Sequence, residues 1–190
     1  MRAFVLLLLF CALIPSLAWG IEPDQLAGAQ KTGPPWGIEL PHLQERLQQI
    51  GLPALRREGT ALHTHQHLQL FIDGKSVPVP AAIGINPVVG FISRIHTHDN
   101  TGTIHIESAD MVGRYTLGQF FDIWGVPLTV KCIGTLCNTG DRMIRAYVNG
   151  TLVPGDPRAI ELKEHEEIVL TYGTAKELPS PIPSTYRGEQ

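Results

Sequence analysis

Six of the eight histidines in this chain lie between positions 63 and 105, and five of them alternate with other residues. His63-Thr-His65-Gln-His67 and His96-Thr-His98-Asp99 each repeat an imidazole at every second position. On a strand rising ~3.3 Å per residue, same-face side chains two apart stand about 7 Å from each other. Tilted rings can bring two nitrogens onto one ion from there, and a neighbouring strand can add a third. His105 is the candidate for that addition. Two three-residue subsets therefore present themselves, His63/His65/His67 and His96/His98/His105. Beyond residue 20 the only thioethers are Met111 and Met143, so nitrogen ligands point to copper(II) or zinc(II), copper having the higher intrinsic affinity. Several imidazolium ions on one face would also destabilise the fold as pH falls, unless the rings are neutral or metal-bound. His165, within Glu164-His165-Glu166-Glu167, reads as a solvated loop residue. His42 reads as solvated in the first turn of a helix.

The elements that must hold these side chains follow from periodicity. From Leu62 the period is two, with His63, His65 and His67 on one face and Leu68, Leu70 and Ile72 on the other. Asp73-Gly74 is a two-residue hairpin signal, and Val77 to Pro80 should return as a strand. Pro78 and Pro80 lack amide donors, which places that return at an edge. A second hairpin turns at Asp99-Asn100-Thr101-Gly102. Its register pairs His98 with Thr103, His96 with His105 and Arg94 with Glu107 on one face, and Thr97 with Ile104 and Ile95 with Ile106 on the other. That predicts an Arg94–Glu107 ion pair beside three histidines.

Two helices are readable. Pro41, then Leu43, Leu47 and Ile50 at i, i+4 and i+7, then Gly51, describe a short one. Thr116-Leu-Gly-Gln119 is a capping box, followed by an apolar stripe of Leu117, Phe120, Phe121 and Trp124 and stopped by Gly125 and Pro127. The stripe has the spacing that burial against a sheet requires. Ile144, Ala146 and Val148 lead into an Asn149-Gly150 turn, and Glu167 to Tyr172 forms a last strand. The fold class expected is α+β: a mixed sheet packed on one helix, β-grasp-like in element order, with an additional N-terminal hairpin and short helix. Residues 21–60 read as a linker or arm with the short helix, 61–173 as one α+β domain, and 174–190 as a Pro-rich flexible tail.

Apolar residues dominate positions 1–20, Arg2 is their only charge, and Ala18-Trp19-Gly20 offers a cleavage site. This is the pattern of a signal peptide cut after Gly20, giving a periplasmic or extracellular protein. Pro15 and Ser16 interrupt the run before the ~20 residues a spanning helix needs, and no later segment is long enough. Leu9-Phe10 before Cys11 does not fit a lipobox. Cys132 and Cys137 would then be the remaining thiols, and an oxidising compartment makes a disulfide their default. Loss of Arg2 would move the net charge from −3 to −4, which argues against nucleic acid as a partner.

Competing chemistries fail on spacing. Cupins share the His-x-His pattern but place a glutamate a few residues later, whereas Glu107 follows His98 by nine. Metal-dependent hydrolases of the TIM-barrel type need about 250 residues. No Gly-x-Ser-x-Gly elbow occurs. The reading that remains is an exported metal-binding protein, for metal handling or metal-dependent chemistry. Its competitor is a non-enzymatic β-grasp interaction module with structural or pH-responsive histidines, its partner another exported protein.

Leu68-Gln-Leu-Phe-Ile-Asp-Gly-Lys, Ile95-His-Thr-His-Asp, Thr116-Leu-Gly-Gln-Phe-Phe-Asp-Ile-Trp-Gly and Gly155-Asp-Pro-Arg, with the His-x-His-x-His run at 63–67, resemble the motifs of a family of exported bacterial proteins of uncharacterised activity. The resemblance spans roughly residues 50 to 173. It implies a bacterial origin and export, and it brings no catalytic residue or partner with it.

Overall fold

The computed structural model describes residues 21–111 and 113–188, so the proposed signal peptide at 1–20 lies outside the described residues. The strands are β1 (Leu62–Ile72), β2 (Lys75–Val77), β3 (Ile85–Asn86), β4 (Phe91–Ile92), β5 (Ile95–His96), β6 (Thr103–Ser108), β7 (Cys132–Ile133), β8 (Leu136–Cys137), β9 (Met143–Val148), β10 (Thr151–Val153) and β11 (Glu167–Gly173). The α-helices among the described residues are α1 (Leu43–Gln49) and α2 (Leu117–Trp124). The fold is α+β. Its main sheet has seven strands in the order β10-β9-β11-β1-β6-β5, with β2 alongside β1. Strands β1 and β11 run parallel, and every other pairing in the sheet is antiparallel.

Helix α2 forms where residue chemistry required it. Gln119 N–H donates to the Thr116 hydroxyl, and Thr116 N–H donates back to the Gln119 side chain at 3.0 Å. Leu117, Phe120, Phe121 and Trp124 are all buried. They share one core with Leu68 and Leu70 of β1, Ile104 and Ile106 of β6, Ile168 and Leu170 of β11, and Leu43 and Leu47 of α1. Each such side chain contributes about 1.5–3 kcal/mol by leaving water. The helix ends at Gly125, whose φ of 79° is left-handed. A Cβ there would lie 3.2 Å from the Arg46 guanidinium carbon. Arg46, itself buried, donates to the Ile123 and Ala27 carbonyls and forms an ion pair with Glu39, tying α1 and its approach to the end of α2.

The first hairpin turns at Asp73-Gly74, both with positive φ. Its return strand is Lys75–Val77 rather than Val77–Pro80. A two-residue turn lets pairing resume at once, and Pro78, lacking an N–H, ends the ladder. The second hairpin has the expected register, with His96 opposite His105 and Ile95 opposite Ile106. Its turn brings Gly102 against β1, where the Gly102 carbonyl accepts from Leu68 N–H at 2.9 Å. Gly102 has φ of 96°, and a Cβ there would stand 2.4 Å from the Leu68 carbonyl oxygen. The hairpin between β9 and β10 turns at Asn149-Gly150, and Cys132 and Cys137, opposite each other in β7 and β8, form a disulfide.

The capping box gives a direct check on this reading of α2. Thr116→Ala should destabilise the protein by about 1 kcal/mol and lower its melting temperature by roughly 2–4 °C, while Thr116→Ser should recover most of the loss, both read by thermal unfolding.

Candidate metal centre

Three adjacent strands build the site. β6 lies between β1 and β5, and its ladders set His65 opposite His105, His63 opposite Glu107, and His96 opposite His105. Directly opposed residues project from the same face. The other face of these strands carries Leu68, Leu70, Ile104, Ile106 and Ile95 into the core. The apolar positions thus determine which side the imidazoles occupy. His98 follows β5 and remains beside His96, their Nε2 atoms 3.2 Å apart.

The donor atoms gather into two overlapping groups. His96, His98, His105 and Glu107 form one, and His63, His65 and His105 the other; within each, the ligand atoms lie within 4.8 Å of one another. Glu107 Oε1 is 3.2 Å from His63 Nε2, 3.9 Å from His96 Nε2 and 3.9 Å from His105 Nδ1. The His63 and His65 Nε2 atoms are 3.0 Å apart. A tetrahedral ion with bonds of ~2.0 Å separates its ligand atoms by roughly 3.3 Å. The cluster is therefore already close to the dimensions of a coordination shell.

A hydrogen bond orients one of the rings, and burial favours the neutral form of two, as a metal ligand would require. His96 Nδ1 is 2.9 Å from the Ser93 carbonyl, which can only accept, so the proton sits on Nδ1 and the lone pair on Nε2 faces His98 and Glu107. This is how an outer hydrogen bond fixes the tautomer of a ligating histidine. Burial pushes the His96 pKa down to about 3, and His98, His105 and His63 add to the effect. His105 is pushed down to about 4, again chiefly by burial and then by His98, His65 and His63. Its Nδ1 is buried without a hydrogen-bond partner among the described residues. Such an atom loses its hydration with no replacement, and a cation at the cluster would supply one. Glu107 is raised, first by burial and then by the Glu58 carboxylate; Glu58 also lies 3.6 Å from His98 Nε2.

His67 is not brought into either group. Its Nδ1 faces the Glu167 carboxylate at 2.9 Å, and its Nε2 donates to the Thr101 carbonyl at 2.8 Å. Burial opposes its charged form, but Glu167 and Thr101 outweigh that and raise its pKa. It serves as a buried ionic link between β1 and β11. His165, its side chain 55% exposed, stands apart from the cluster, as does His42, which pairs with Glu39 at 2.7 Å.

The expected Arg94–Glu107 ion pair does not form. Arg94 binds Asp110 at 2.8 Å instead, and Glu107 lies among the imidazoles. The backbones do meet, with Glu107 N–H donating to the Arg94 carbonyl at 2.8 Å, but the Arg94 side chain turns to Asp110 and the Tyr115 hydroxyl. An ion-pair reading of Glu107 hides it as a donor, although its place two residues after His105 on a strand puts it on the histidine face. Comparisons with protein-family models, with curated proteins and with solved structures gave no significant match.

The pKa shifts fix the sign of an acid effect. His96 and His105 bind protons more weakly folded than unfolded, so the unfolded chain holds more protons between about pH 3 and 6.5, and stability falls as pH drops through that window. Each histidine fully within the window contributes about 1.4 kcal/mol per pH unit. The raised values of His67 and Glu107 act in the opposite sense. Urea unfolding of metal-free protein should give a lower midpoint at pH 5 than at pH 7. An equal or higher midpoint at pH 5 would contradict neutral, buried imidazoles.

Proposed function

We propose that this chain is an exported protein that binds a divalent transition metal, copper(II) or zinc(II), through the strand-borne cluster of His63, His65, His96, His98, His105 and Glu107. The observation that carries the proposal is the convergence of imidazole nitrogens and one carboxylate from three strands, with the buried Nδ1 of His105 lacking any hydrogen-bond partner among the described residues. An all nitrogen and oxygen donor set suits copper(II) and zinc(II), and the Irving–Williams order favours copper. Two of the ligands are neutral well below pH 7, so metal need not displace protons from them.

Export is supported by the signal-like residues 1–20 and by the disulfide, a feature of oxidising compartments. No described helix is long and apolar enough to cross a membrane. A β-grasp arrangement is supported by the parallel pairing of first and last strands with α2 between them in sequence. The rival reading, an interaction module with structural histidines, has His67 in its favour, since that ring serves an ion pair between strands.

Metal-free protein titrated with copper(II) or zinc(II) at pH 7 should bind tightly enough to retain metal through gel filtration. His98→Ala should weaken binding by about 100-fold, equivalent to about 2.7 kcal/mol, while His67→Gln should lower stability and leave metal affinity within a few-fold of wild type. Wild-type protein that takes up neither metal would overturn the proposal in favour of the interaction module.

A further inference from the structure

The cluster is wider than one ion requires. A tetrahedral ion takes four ligands, whereas six side chains converge here. They do not form one compact set but two groups that share His105. The division follows the strands. β1 supplies one close pair, the Nε2 atoms of His63 and His65 at 3.0 Å, and β5 with its extension supplies another, those of His96 and His98 at 3.2 Å. Each spacing suits two ligands on a single ion. With neighbouring strands ~4.8 Å apart, the outer two backbones of the three are separated by roughly 9.6 Å.

Between the pairs stands β6 with His105 and Glu107. The His105 ring centroid is 4.5 Å from those of both His65 and His98. Glu107 Oε1 is 3.2 Å from His63 Nε2 on one flank and 3.9 Å from His96 Nε2 on the other. A carboxylate has two oxygens and can serve two ions, whereas a neutral imidazole has one lone pair and serves one. Two-metal sites hold their ions ~3.5–4 Å apart, a separation one carboxylate spans.

We propose that the cluster is a binuclear centre: one divalent ion is held by His63 and His65, a second by His96 and His98, Glu107 bridges the two ions, and the neutral His105 between them completes the shell of one. This deepens the metal-binding reading and rests on it. The number of ions is a separate quantity from their presence, so the two can fail independently. Two ions also set a chemistry apart from simple transport, because paired metals can clamp and activate a bound oxygen ligand between them.

The test is metal stoichiometry and spin coupling in the full exported chain. Wild type loaded with copper(II) and freed of excess should hold two equivalents per chain by elemental analysis. Its electron paramagnetic resonance signal should integrate to fewer than two spins and show a half-field line from coupled ions. His63→Ala combined with His65→Ala should hold one equivalent with a full, isolated copper(II) signal. The side chain of His63 is 53% exposed, and far-ultraviolet circular dichroism will show that this variant keeps its fold. His98→Ala, which removes an exposed ligand from the other flank, should likewise abolish coupling. One equivalent in wild type, with an uncoupled signal, would overturn the binuclear centre and leave metal binding intact. Two equivalents that persist uncoupled, or that survive loss of His63 and His65, would overturn it as well. Uptake of neither copper nor zinc would overturn both readings.

Discussion

Strand register is the constraint on which the rest of this structure depends. Side chains alternate along β1, β5 and β6, so the choice of which face meets α2 fixes the position of every imidazole on the opposite face. Ile95, Ile104 and Ile106 are essentially inaccessible to water. A slip of one residue would expose them and drive histidines and Glu107 into the aromatic stripe of α2, a change that would replace apolar burial with unpaired polar groups. The hydrophobic core therefore positions the donor atoms without touching them.

The same face shows how one residue type can be put to two uses. His67 and His65 differ by one repeat along β1. His65 sits opposite His105, whereas His67 sits between Thr103 on β6 and Glu167 on β11. A carboxylate at hydrogen-bond distance and a carbonyl on the other nitrogen favour the charged form of His67. His96 faces a carbonyl on one nitrogen and other imidazoles on the other, and burial keeps it neutral. Environment rather than sequence motif separates the ionic link from the candidate ligands.

This separation explains what could be read from the chain in advance. Helix α2 was legible because its cap, stripe and stop signals all fall within ten residues. The pairing of His96 with His105 was legible because a short polar turn fixes it, and the hairpin at Asp73-Gly74 for the same reason. The role of His67 was not, because its partner Glu167 lies 100 residues away and is delivered by the parallel pairing of β1 with β11. The role of Glu107 was not legible because Arg94, whose backbone does pair with it, sends its side chain to Asp110. Local turn chemistry and apolar period carried most of the fold and five of the candidate histidines, while contacts made across the sheet decided the rest.

The central claim is that imidazoles on three adjacent strands enter the inner shell of a metal. X-ray absorption at the metal edge of the copper(II)- or zinc(II)-loaded protein measures this most directly. The account predicts nitrogen and oxygen scatterers at ~2.0 Å, with the outer-shell pattern of at least two histidine rings per ion and no sulfur. An inner shell of oxygen alone, without imidazole scattering, would contradict it.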